Sequence, residues 1–218
     1  MNSYFAFLEE LDQQAPGVLE QAIDILQADP AVSAVVKNSA VDGLAPFAPY
    51  RGEQQAGRPF FGAVEFRTAD AAHARALFAR IAALGATVHG YDVTPLVEKD
   101  ELTPDAGGHV PGLKTLRGIS FHPDLPKAAA RRCWDHHVEL ALQLHGFDKY
   151  VRYWVNDCLT ENSPRIGGIT NLQFASEKRM RERYFVREGA SELVFHDVTY
   201  FISGGTRRLL AAEQLIAD

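Results

Sequence analysis

The chain reads as one structural unit written twice. Phe66-Arg67-Thr68 and Phe174-Ala175-Ser176 each close a strand-like run and open a helix-like one, and they stand 108 positions apart. Asp92-Val93-Thr94 and Asp197-Val198-Thr199 recur 105 apart, where a strand is expected after each helix. Leu26-Gln27 and Leu142-Gln143, 116 apart, each precede a strand. At that last spacing Trp134 and His137 fall opposite Val18 and Gln21, so the chemical residues decorate one copy alone. A duplicated scaffold with one decorated copy implies one site per chain, in the second half.

The 218 residues suffice for two units of about 100 residues each. In the first, a strand is expected at 3–8, then a helix after Pro16 carrying Val18, Ala22, Ile25 and Leu26 at helical spacing. A strand at 32–36, a loop over 43–58 and a strand at 60–66 follow. Thr68 is the expected N-cap of a helix with Ala74, Leu77, Phe78 and Ile81 on its apolar stripe, ended by Gly85 before a strand at 87–96. A linker spans 101–114. The second unit repeats the order: strand 116–122, a helix from Pro126 to Leu144, strand 149–155, loop 157–168, strand 169–174 and a Ser176-capped helix to about 186. A last strand at 193–202 and a terminal helix at 207–216 complete the pattern. The fold class is therefore α+β. Two tandem ferredoxin-like βαββαβ units, 1–106 structural and 107–218 carrying the site, pack sheet to sheet as an α+β barrel.

Composition narrows the partners. A net charge of -6 argues against nucleic acid, which needs a basic surface. No apolar run approaches the roughly 20 residues of a membrane helix, and the acidic start with Glu9, Glu10 and Asp12 is unlike a signal peptide. The spacing of Cys133 and Cys158 is that of neither a metal knuckle nor a redox pair, which fits a reducing, cytoplasmic setting.

On the helix of the second half, Ala130, Trp134, His137, Ala141 and Leu144 share one stripe. A histidine there is either a satisfied core residue or a catalyst bordering a cavity, and His122 and His196 are further candidates in the same half. His136 and His137 diverge by about 100° on a helix, a poor metal pair, so no metal is expected. Tyr150, Arg152 and Trp154 share one strand face, fit either for a pocket or for solvent. Asn171 and Gln173 on the neighbouring strand suggest a polar-lined interior. With Trp134, these are the candidate substrate-binding residues.

Trp134-Asp-His-His137, followed by Tyr150 within Phe147-Asp-Lys-Tyr-Val, resembles the EthD-like branch of the dimeric α+β barrel superfamily. Phe174-Ala-Ser-Glu and Phe195-His-Asp197 are similar to it as well, so the resemblance covers about 115–203. One departure is that the branch often places its histidine four residues after the tryptophan, and here the step is three. The branch includes methylmuconolactone isomerases and aromatic polyketide cyclases. The resemblance implies proton transfer by His137, without a metal or organic cofactor, on a small oxygenated ring compound or lactone: an isomerase, lyase or cyclase. Tyr150, Arg152 or His196 would hold the developing oxyanion. The alternatives are a non-catalytic barrel binding a hydrophobic small molecule, and a haem-binding barrel with one histidine as axial ligand. A homodimer of whole barrels is also compatible with the resemblance.

Overall fold

A computed structural model describes residues 1–10, 17–41 and 59–217. Pro16 and the 43–58 loop expected from sequence lie outside them. The first half contributes β1 (Asn2–Glu10), α1 (Val18–Gln27), β2 (Ser33–Ala40), β3 (Phe60–Thr68), α2 (Ala71–Ala82) and β4 (Ala86–Asp100). Its strands lie in the order β4-β1-β3-β2, all antiparallel. The second half contributes β5 (His109–Phe121), α3 (Lys127–Leu144), β6 (Lys149–Cys158), β7 (Gly168–Phe174), α4 (Glu177–Arg183), α5 (Ala190–Val198), β8 (Ile202–Gly205) and β9 (Leu209–Ala217). Its order is β9-β5-β7-β6, the same arrangement.

The halves join edge to edge. β4 pairs with β6 through Val93↔Val155, and β2 pairs with β9 through Asn38↔Glu213. Both joints are antiparallel, so eight strands close into a barrel that leaves no free edge in the ring. The short β8 lies outside that ring against the end of β5.

Helices cover the outside. In the first half the buried stripe of α1 is Val18, Leu19, Ala22, Ile23 and Leu26. That of α2 is Ala74, Leu77, Phe78 and Ile81. They pack on Tyr4, Leu8, Val64, Phe66 and Val88 of the sheet in one apolar cluster. Phe78 packs against the backbone of Gly90, where an added Cβ would sit 2.5 Å from its ring. Burying each such large side chain contributes about 1.5–3 kcal/mol. The cap of α2 is Asp70, whose carboxylate accepts from the His73 amide at 2.9 Å. Thr68, expected in that role, instead ends β3 and donates to the Ala31 carbonyl. Gly85, at φ 96°, adopts the left-handed turn between α2 and β4.

The barrel lumen divides into two zones. Phe5, Phe7, Tyr91, Val93 and Val155 fill one with apolar contacts. The other is ionic: Lys114, fully buried, holds Glu213 at 2.6 Å, and Lys149 meets the same carboxylate at 3.0 Å. Burial pushes the Glu213 carboxyl up, but the two ammonium groups outweigh it and leave it below the usual range. Tyr153 and Asn38 both donate to Glu65 from opposite halves.

Two elements depart from expectation. Residues 193–202 were expected as the last strand, yet α5 occupies 190–198. Ala190, Val194 and Val198 recur at helical spacing and pack against α3. The expected terminal helix at 207–216 is instead β9. Its Leu-Leu-Ala-Ala-Glu-Gln-Leu segment is made of good helix formers. The gap between β2 and β5 offers two ladders to a strand, and that tertiary gain overrides propensity. The Asp-Val-Thr echo is therefore a coincidence, one copy in β4 and the other at the end of α5. The linker is also shorter than expected, because β5 begins at His109.

Candidate functional site

Beneath the helix layer of the second half lies a cavity of about 390 Å³. Its floor is the outer face of β5, β6 and β7, through Ile119, Tyr150, Thr170 and Leu172. Trp134, His137 and Ala141 of α3 form one wall, and Val198, Thr199 and Ile202 from α5 and β8 form another. Phe195, more than half exposed, stands at its edge. Helical spacing on α3 is what aims Trp134, His137 and Ala141 inward together.

His137 is 7% exposed, and its Nδ1 lies 2.6 Å from Asp197 Oδ2. An imidazole that donates Nδ1–H to a carboxylate keeps the lone pair on Nε2. Burial pushes His137 below its ordinary value of 6.5, and the Asp197 contact offsets this only in part. The ring is thus neutral at pH 7, with a basic nitrogen available to the cavity. No carboxylate shares its stripe on α3; the partner arrives from α5, an element that the sequence pattern had cast as a strand.

Tyr150 is completely buried, and burial raises its phenol well above the ordinary value. Its oxygen accepts from Trp134 Nε1 at 3.2 Å, which leaves its own hydrogen to donate into the cavity. Behind Trp134, Gly168 gives the indole room: an added Cβ there would lie 2.1 Å from Trp134 Cζ3. A second histidine also lines the cavity. His145 Nδ1 donates to the Tyr184 carbonyl at 2.7 Å, and burial lowers its pKa to about 4. Arg117 and Arg208 add positive charge to the wall, while no Asp or Glu among the described residues lines it.

The expected site residues therefore fall into three places. Trp134, His137 and Tyr150 meet at the cavity. Arg152 and Trp154 share the β6 face with Tyr150 but stand behind it. Arg152 is held by Glu98 at 2.8 Å and Asp135 at 2.9 Å, and its guanidinium lies over both Trp134 and Trp154. It braces the indole without reaching the cavity wall. Asn171 and Gln173 point the other way, into the ionic zone of the lumen, because alternate residues of β7 face opposite sides.

The other two histidines lie away from the cavity lining. His122 donates from Nε2 to the Thr199 carbonyl at 2.9 Å, tying the end of α5 to β5 rather than lining the cavity. His196 lies on the exposed side of α5, edge-on to Tyr200, because a helix turns it about 100° away from its neighbour Asp197. Asp197 and His145 were missed. The first was hidden by the misassigned strand, and the second carried no signal beyond its place just after a helix.

No known protein-family profile and no curated protein matches the sequence. Solved structures do. An anthrone oxidase-like protein superposes with a TM-score of 0.61 at 13% identity, over 99% of this chain and 91% of that one. A dye-decolorizing peroxidase from Bacteroides thetaiotaomicron gives 0.55 at 10%, over 98% and 93%. A chlorite dismutase-like protein gives 0.52 at 11%, over 100% and 96%. These neighbours share the fold: an α+β barrel, with both ferredoxin-like units carried here in a single chain. Among the described residues no helix is long and apolar enough to cross a membrane, and no cluster of His, Cys, Asp or Glu could hold a metal ion.

Proposed function

We propose that the cavity beneath α3 is a proton-transfer site acting, without a cofactor, on a small oxygenated ring compound or lactone, as an isomerase, lyase or cyclase. The observation that carries this reading is the buried His137–Asp197 pair beside an undonated Tyr150 hydroxyl. His137 Nε2 takes a proton from a carbon next to a carbonyl, and the C–H electron pair moves into an enolate. Tyr150 donates to the enolate oxygen, and Asp197 stabilises the imidazolium for as long as it holds the proton. Returning that proton to a different carbon isomerises the substrate; delivering it to a departing oxygen completes an elimination. Affiliation with the EthD-like branch belongs to the same proposal and rests on Trp134, His137 and Tyr150.

The test is exchange of ring-carbon protons with deuterated water, followed by NMR over a panel of lactones and cyclic ketones. We expect exchange in the native protein and a loss of about 100-fold or more in His137→Ala and in Asp197→Asn. Ligands that bind tightly without any exchange would replace the reading with that of a binding barrel. The likeness to an anthrone oxidase-like protein favours a second outcome for the same carbanion. There, a ring CH₂ and O₂ would become a ring carbonyl and water, which an oxygen electrode distinguishes from isomerisation. Haem fits less well. His137 Nε2 is supported as an axial ligand would be, but about 390 Å³ lies at the small end of the roughly 300–1,000 Å³ range of ligand pockets. That space does not seat a porphyrin, and no step is assigned to one.

A further inference from the structure

A second constellation lies away from that cavity, where the loop between β6 and β7 crosses onto the first half. His89 of β4 is buried, with Nε2 3.1 Å from Glu9 Oε2 of β1 and Nδ1 3.3 Å from Ser163 Oγ of the loop. Ser163 Oγ is also 2.6 Å from Thr160 Oγ1, which accepts from the Gly90 amide at 2.8 Å. The direction of these bonds is constrained. A carboxylate only accepts, so His89 donates Nε2–H to Glu9, and in the neutral ring the lone pair then lies on Nδ1. With that tautomer Ser163 donates to His89 Nδ1, and Thr160 is the donor to Ser163. The chain runs from the Gly90 amide to Glu9 in one sense, with a serine hydroxyl polarised at its centre.

We propose that Ser163, His89 and Glu9 form a hydrolytic site, with Ser163 as nucleophile toward a small acyl ester. Such triads are recognised by geometry and roles rather than by chain order; the two ring nitrogens here exchange the places they usually take. Ser163 and Thr160 line an open cavity of about 640 Å³, whose apolar side, Phe121, Leu125 and Ile166, suits an acyl chain. Glu161, Asn162 and Ser163 line the same cavity, and their backbone amides are the donors this site would offer to an oxyanion. Ser163 Oγ adds to the ester carbonyl carbon as its proton passes to His89 Nδ1. Collapse of the adduct breaks the C–O bond to the alcohol, which leaves with that proton. Water, deprotonated by His89 in turn, then releases the acid and restores the serine. The Ser–His separation is long for attack, as is common before substrate is bound.

The test uses the intact chain with p-nitrophenyl butyrate and, separately, a fluorophosphonate probe mapped by peptide mass spectrometry. The expected result is one adduct, on Ser163, and ester hydrolysis that Ser163→Ala abolishes while Ser191→Ala, outside both cavities, leaves unchanged. Glu9→Gln preserves the shape of the carboxylate and should cut hydrolysis by roughly 10-fold or more, with the near-ultraviolet circular dichroism of the folded barrel retained. Hydrolysis that persists in Ser163→Ala, or an adduct absent from Ser163, overturns the proposal.

Discussion

The helix layers of the two halves rest on the same four-strand pattern and do opposite things with it. In the first half α1 and α2 press an apolar cluster directly onto the sheet. In the second, α3 stands over a cavity bearing two neutral histidines. The difference comes from an insertion. α2 passes through Gly85 straight into β4, whereas between Arg183 and Leu209 the second half adds α5 and β8. That insertion delivers Asp197 to His137 and walls the cavity with Val198, Thr199 and Ile202. The barrel supplies the platform, and the segment between α4 and β9 walls the candidate site.

The largest test of this comparison is to separate the halves. Residues 1–106 and 107–218 expressed apart should be insoluble, since β2 and β4 on one side and β6 and β9 on the other would become free edges beside an open apolar lumen. A monomeric, cooperatively melting half would show that its helix layer alone suffices. A paired substitution comes next. Gly90→Ala and Gly168→Ala each push a Cβ into an aromatic ring, at 2.5 and 2.1 Å, and each should cost about 1–3 kcal/mol in denaturant unfolding. Ligand binding should weaken for Gly168→Ala alone, because of the two displaced rings it is Trp134 that lines the cavity and hydrogen-bonds Tyr150. Equal loss of binding in both variants would dissolve the distinction between the halves.

The third test is pH. The unfolded chain protonates histidine near its ordinary 6.5, while folded His145 does so only at about 4. The folded-state value is depressed, so stability is full above pH 6.5, declines as pH falls towards 4, and loses about 3 kcal/mol on that account. Chemical denaturation across this window should show a shallower slope in His145→Gln. An unchanged slope would mean that the ring is not buried as described. The smallest expected effect is Gln21→Ala. Gln21 is exposed on α1, so stability should move by less than about 0.5 kcal/mol and proton exchange not at all. A loss matching that of His137→Ala would make the first half a participant.

Gln21 also shows how far the sequence could be read. The echo between the halves correctly implied a duplicated scaffold, yet the spacing set by Leu26 and Leu142 paired Gln21 with His137. The buried stripes of α1 and α3 align when Leu19, Ala22, Ile23 and Leu26 face Trp134, His137, Val138 and Ala141. Ala22 is thus the structural counterpart of His137. Helix periodicity fixed which face of α3 turns inward, because burial follows the 3.6-residue repeat. It could not supply Asp197, since that contact joins two elements 60 positions apart and one of them had been read as a strand. Strand alternation likewise separated Tyr150 from Val151, but not the cavity side from the lumen, which for Asn171 and Gln173 depended on how the sheet closes.

Closure of the barrel has a consequence for the order in which the chain can assemble. β2 is finished early, but Val36 pairs with Leu215, 179 positions further along the chain. Until β9 has been made, one side of β2 therefore waits unpaired, and the lumen stays open beside it. Nascent chains that meet on a polysome could satisfy that waiting edge with the β9 of a neighbour, giving an exchanged pair instead of a closed ring.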